Sequence, residues 1–134
     1  MKRVTLMIIS AVICGMALTN CGSNPKNEQS SKAEKQWIEL IKLNGKGEKK
    51  SEIFTYSGGK ARMRYEFNSD DFGMFAAYVV KEGEDIMREG GFPEVMLDGE
   101  ESGESNLSHL RKGNYYLNIS SANGSWTVVI EEFK

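Results

Sequence analysis

An all-β fold, an antiparallel β-sandwich of about eight strands with jelly-roll or Greek-key connections, is predicted for residues 37–134 by three observations. Apolar residues recur with a period close to two from Trp37 onward. Turn-forming Gly, Asn and Asp residues return about every eight to twelve positions. The candidate strands are short and unequal, which favours two packed sheets over a closed barrel.

The first strand expected is Trp37 to Leu43. Lys60 to Phe67 is the clearest: Ala61, Met63, Tyr65 and Phe67 would face a core while Lys60, Arg62, Arg64 and Glu66 face water. Ser51 to Ser57 is rich in strand formers. Gly58-Gly59 then suits a two-residue hairpin that sets Tyr56 opposite Ala61 and Phe54 opposite Met63. Met74 to Lys81 (MFAAYVVK) is apolar on both faces and is expected as a strand buried on both sides. Shorter strands are expected at Ile86 to Glu89, Phe92 to Leu97 and Ser105 to Leu110, punctuated by Gly90-Gly91 and Asp98-Gly99. Asn123-Gly124 is the preferred dipeptide of a type I′ hairpin turn. Folding there sets Ile119 opposite Val128 and Leu117 opposite Ile130, with Ser120 meeting Thr127 and Tyr116 meeting Glu131 on the other face. The chain carries no internal repeat.

Ahead of this domain, Met1-Lys2-Arg3 is a short positive start, and Val4 to Leu18 is an apolar stretch interrupted only by Thr5, Ser10 and Gly15. Its length of about fifteen residues falls short of the ~20 needed for an ordinary membrane span and suits a signal peptide. Leu18-Thr19-Asn20-Cys21 follows directly and resembles the bacterial lipobox, with Asn20 bulkier than the residue commonest there. The resemblance implies cleavage between Asn20 and Cys21 and a diacylglyceryl group on the Cys21 thiol. Residues 1–20 are then the signal peptide and residues 21–36 a lipidated polar tether, with the membrane contacted through the lipid on Cys21. From Gly22 to Lys35 the sequence is polar and nearly free of aliphatic residues, the composition of a disordered linker. Because Gly22 is not an inner-membrane retention aspartate, the expected location is the cell envelope, at the outer membrane if the cell has two.

Composition narrows the function. Removing Lys2 and Arg3 from the 17 basic residues leaves 15 against 19 acidic ones, a net charge of about −4, and the basic residues are scattered, which argues against nucleic acid as a partner. Of the two cysteines, Cys14 lies in the apolar stretch and Cys21 is committed to lipid. The mature domain is therefore expected to have no disulfide, no cysteine metal cluster and no cysteine nucleophile.

His109 is the only histidine, so a serine triad would have to use it, and no serine lies in a nucleophile-elbow pattern. Asn68, Asp70 and Asp71, and again Asp98, Glu100 and Glu101, offer oxygen atoms to calcium, though neither group has the spacing of a calcium loop. Aromatic side chains are the other route to a ligand. The hairpin register assigns Trp126 and Tyr115 to the core and leaves Tyr116, Trp37 and Phe72 as candidate ligand contacts. Lys60, Arg62 and Arg64 form a cationic face suited to an acidic glycan or headgroup, or simply to solvent.

The segment GNYYLNISSANGSWTVVIEE, Gly113 to Glu132, resembles the closing hairpin of small extracellular β-sandwich modules, similar to prepeptidase C-terminal and CUB-like jelly rolls. The likeness implies architecture and says little of function. The expected function is that of a lipid-anchored, extracytoplasmic, non-catalytic binding or accessory module for a glycan or protein ligand, without cofactor or metal. Two alternatives are a small envelope hydrolase using His109 or a carboxylate pair, and a structural subunit of an envelope complex. The lipid assignment is tested directly: radiolabelled palmitate should label the protein in growing cells, and label persisting in Cys21→Ala would refute it.

Overall fold

The computed structural model describes residues 33–134, so Asn20, Cys21, the whole of segment 1–20 and most of segment 21–36 lie outside the described residues. Nine strands and one helical turn follow one another: β1 (Trp37–Lys46), β2 (Lys49–Lys50), β3 (Phe54–Tyr56), β4 (Lys60–Asn68), β5 (Met74–Lys81), α1 (Ile86–Glu89), β6 (Val95–Asp98), β7 (Glu101–Asn106), β8 (Gly113–Ala122) and β9 (Ser125–Phe133). They build two antiparallel sheets. Sheet A has the order β1-β9-β4-β7, and sheet B the order β2-β8-β5-β6 with β3 also paired to β8. This is the β-sandwich expected from the alternating pattern.

The core lies between the sheets. Ala61, Met63 and Phe67 of β4 and Trp126, Val128 and Ile130 of β9 point inward from sheet A, and Phe75, Ala77, Leu117 and Ile119 point inward from sheet B. Phe75 joins the layers, its ring 5.5 Å from that of Phe67 and 6.3 Å from that of Trp126. Aromatic rings at these separations add to the large apolar area they bury.

Strand pairing departs from expectation at both predicted hairpins. Phe54 and Tyr56 pair with Tyr115 and Gly113 of β8, whereas β4 pairs with β7 and β9. The chain therefore steps from sheet B to sheet A at Gly58-Gly59. It does so again at Asn123-Gly124, where β8 ends in sheet B and β9 begins in sheet A. Asn123 adopts a left-handed φ of 56° but Gly124 does not share it, so the type I′ geometry, which needs both, is not formed. A period of two specifies which side chains face the core. Two strands facing each other across a sandwich satisfy it as well as two lying side by side.

Specific contacts hold each step. At the first, Glu132 is fully buried on the inward side of β9. Its Oε1 accepts from the Ser57 hydroxyl at 2.7 Å, the Gly59 N–H at 2.8 Å and the Ser57 N–H at 3.1 Å, and its Oε2 accepts from Lys134 Nζ at 3.1 Å. Burial alone would raise the Glu132 pKa; these hydrogen bonds outweigh it and hold the carboxyl at about 2. At the second step Phe67 packs directly beneath the turn, and a Cβ on Gly124 would lie 2.3 Å from its ring and 2.6 Å from the Asn68 carbonyl oxygen.

Three shorter elements are also corrected. Ile86–Glu89 is a helical turn rather than a strand, because Asp85 caps it by accepting from the Met87 N–H at 2.9 Å and Gly90 ends it with a φ of 73°. The strand expected from Phe92 begins only at Val95, after Pro93, which has no N–H to give to a ladder. The strand expected over Ser105 to Leu110 lies earlier, at Glu101–Asn106, and the chain then turns with Leu107 buried and the Leu110 N–H donating to the Leu107 carbonyl. Nor is β5 buried on both sides, since Met74 is half-exposed on its outer face. The close approach at the second step makes a direct prediction: Gly124→Ala should lower stability by about 3 kcal/mol in urea unfolding, as overpacking against a filled core does.

Candidate functional site

The three aromatic candidates do not converge. Trp37 lies on the outer face of sheet A, its ring 5.3 Å from Phe133 and 4.0 Å from the Arg62 guanidinium. Tyr116, expected at the surface, is buried instead: its hydroxyl donates to the Glu84 carbonyl at 2.8 Å and Lys50 Nζ sits 3.8 Å above its ring. The segment after β5 folds back over the outer face of sheet B and covers it, a tertiary contact that alternation cannot reveal. Only Phe72, 85% exposed in the loop between β4 and β5, stands free.

That loop is ordered by its neighbours. Ser69 Oγ lies 2.6 Å from the Asp71 carbonyl oxygen and 2.9 Å from that of Asn123, and Asn123 Nδ2 donates to the Phe72 carbonyl at 3.0 Å. The loop borders an open cleft of about 900 Å³ whose rim carries Lys46, Asp70, Asp71, Glu100 and Asn123. Among the described residues no three His, Cys, Asp or Glu side chains are grouped to hold a metal ion.

The two outer faces of the sandwich differ in chemistry. On sheet A, Lys60, Arg62, Arg64 and Glu66 of β4 alternate outward as expected, but they do not form a free cationic surface. Glu131 of β9 accepts from Arg62 Nε at 2.7 Å and from Arg64 Nη2 at 2.8 Å, and Arg62 also pairs with Glu104 at 3.2 Å. Burial pushes the Glu131 carboxyl upward, but the two guanidinium groups outweigh it and hold it below the usual range. Two of the three predicted cations are thus neutralised within the sheet.

Sheet B presents the opposite surface. Its registers align Ala122, Met74 and Asp98 in one outward rung, Ser120, Ala76 and Met96 in the next, and Asn118 with Tyr78 in a third. Asp98 alone is charged among them. Met74 is 55% and Met96 67% exposed, and they lie on a diagonal of adjacent strands where long side chains reach one another. The α1 turn borders the third rung and encloses, with Tyr78, Asn118 and Ser120, a groove of about 420 Å³ into whose rim Met87 projects. Sequence reasoning missed this face because MFAAYVVK looked like a buried strand. The signal was the short outer neighbours Ala76, Ser120 and Ala122, which leave the methionines uncovered.

His109 Nε2 lies 2.9 Å from Glu94 Oε1. Burial raises the Glu94 pKa, and the adjacent histidine only partly offsets it. The clefts beside this pair are lined by Tyr78, Val79, Glu84, Ile86, Phe92 and their neighbours, without a serine, threonine or cysteine among the described residues. The pair can exchange a proton. No helix of the described residues is long and apolar enough to cross a membrane. Comparison with family models, with curated proteins and with solved structures finds no match to this chain.

Proposed function

We propose that this chain is a lipid-anchored, extracytoplasmic lipoprotein whose β-sandwich is a non-catalytic accessory module that docks another protein on the outer face of sheet B. The signal-like start and the lipobox at Cys21 support the anchor. The observation that carries the docking role is the contrast between the two outer faces: sheet A covers its surface with paired charges, while sheet B leaves Met74, Ala76, Met96 and Ala122 uncharged and open. Exposed apolar patches of this kind mark interaction sites on soluble domains. Methionine suits such a site because its unbranched, polarisable side chain adapts to a partner's shape.

A protein is favoured over a glycan because glycan recognition rests on aromatic platforms flanked by directional polar groups. Here the expected platform residues are dispersed, and Tyr116 is covered. The His109–Glu94 pair gives the hydrolase alternative an acid–base couple, tested by whether His109→Ala abolishes an assayed activity. Photo-crosslinking from position 96 in intact cells should capture a discrete protein, and Met74→Glu with Met96→Lys should abolish that capture while the unfolding midpoint moves little. A capture that survives the double substitution, or binding on a glycan panel that is lost with Phe72→Ala, would contradict the reading.

A further inference from the structure

The two ends of the sandwich also differ. The chain enters at Gln36, whose N–H donates to the Lys134 carbonyl at 2.9 Å while its own carbonyl accepts from Lys134 N–H at 3.1 Å. This is the end that carries the Ser57–Gly59 step, since Lys60 and Trp37 both pair with Phe133. Lys112 joins it, with its Cβ 3.7 Å from the position a Cβ on Gly58 would take. Lys35, Lys60, Arg111 and Lys112 are all exposed there, and among the described residues none is in an ion pair. Lys134 is excluded from this set because it serves Glu132.

The exposed carboxylates near this end are Glu34, Glu39, Glu82 and Glu84, of which Glu39 lies opposite Glu131, two residues in from the rung of Trp37, Phe133 and Lys60. Glu34 is next to Lys35. Glu82 and Glu84 belong to the segment lying over sheet B, where Glu82 accepts from Asn114 Nδ2 at 2.8 Å and the Glu84 backbone holds the Tyr116 hydroxyl. The opposite end has the reverse charge, with Asp70, Asp71 and Glu100 around a single Lys46. A strand of nine residues separates the ends by roughly 30 Å.

We infer that the end where the chain enters docks on anionic lipid headgroups, with the acidic loops pointing away from the bilayer. Two observations select a lipid surface as the occupant. One is charge complementarity: four exposed cations, none in an ion pair among the described residues, belong to this end, and anionic headgroups attract basic residues held near them. The other is the chain outside the described residues. About fourteen polar residues lead from Cys21 to this end, a length of chain that can reach at most about 50 Å. A lipid on Cys21 would tether this end, rather than the acidic one, to the membrane surface. The second consideration rests on the proposed anchor; the first does not. Docked in this way, the methionine face of sheet B stands roughly perpendicular to the membrane, open to a neighbour in the same leaflet.

The test uses residues 21–134 with Cys21→Ser, which retain the compact unit Ala33–Lys134 and every residue of its core. Sedimentation with vesicles of phosphatidylcholine alone and of phosphatidylcholine with one-third phosphatidylglycerol reads the headgroup term without the lipid anchor. Partition should be at least tenfold higher on the anionic vesicles at low salt and fall to the neutral level in high salt. Lys60→Glu with Lys112→Glu should abolish the difference, whereas Lys42→Glu with Lys46→Glu, which changes net charge equally on sheet A and at the far end, should largely preserve it. Equal partition on the two vesicles, or equal losses in the two double variants, would overturn the inference. Failure of palmitate labelling together with retained anionic partition would remove the anchor and leave the docking surface standing.

Discussion

The Glu132 carboxylate is the constraint on which the arrangement depends. A carboxylate taken out of water is costly unless every lone pair is met, and here four donors meet it. Three of those donors belong to Ser57 and Gly59, the residues that carry the chain from sheet B to sheet A. Tyr56 adds a further clasp, its hydroxyl donating to the Gly59 carbonyl, and its pKa is raised by burial first and by the nearby Glu132 charge second. The ion therefore fixes a path for the backbone as well as a contact. Removing it leaves two backbone N–H groups at the top of the core without partners, which is the expensive half of losing a buried hydrogen bond.

From that crossing follows the division of labour between the faces. Because β4 leaves β3 and joins β9, Arg62 and Arg64 come to lie beside Glu131, and sheet A acquires its closed ion-pair network. Because β8 stays behind with β5, the small outward residues Ala76, Ser120 and Ala122 fall in register and Met74 and Met96 stand above them uncovered. Adjacent glutamates on β9 thus serve opposite purposes: Glu131 neutralises the outer surface, and Glu132 locks the inner end.

Much of this was legible in the residues and some was not, for identifiable reasons. The alternation in Lys60 to Phe67 and in the two C-terminal strands correctly separated inward from outward side chains, and it placed Trp126 and Tyr115 in the core. It misread partners because facing across a core and pairing within a sheet leave the same period-two signature. The Gly58-Gly59 and Asn123-Gly124 pairs were read as hairpin turns on propensity. Gly58 is required by its positive φ of 104°, whereas Gly59 and Gly124 are required by close approach, to the Phe133 carbonyl oxygen and to the Phe67 ring. The capping pattern of Asp85 and Gly90 was available in the sequence and outweighs the strand-like flanks of α1. The burial of Tyr116 was not legible, since it depends on where the segment after β5 folds, and the open methionine face was signalled only by the short residues Ala76, Ser120 and Ala122, whose rungs depend on a strand register that alternation does not give.

The claim that Glu132 holds the crossing as a buried anion is tested by unfolding Glu132→Gln beside the parent protein across pH. The folded pKa of about 2 lies below the ordinary carboxylate value of 4.5, so the contribution is complete above that ordinary value and is lost as pH falls toward the folded one. A depression of this size corresponds to roughly 3 kcal/mol. The parent should be more stable than the variant by about that amount at neutral pH, with the two curves converging as pH falls from about 4.5 toward 2. Parallel curves over that interval, or equal stabilities at neutral pH, would contradict it.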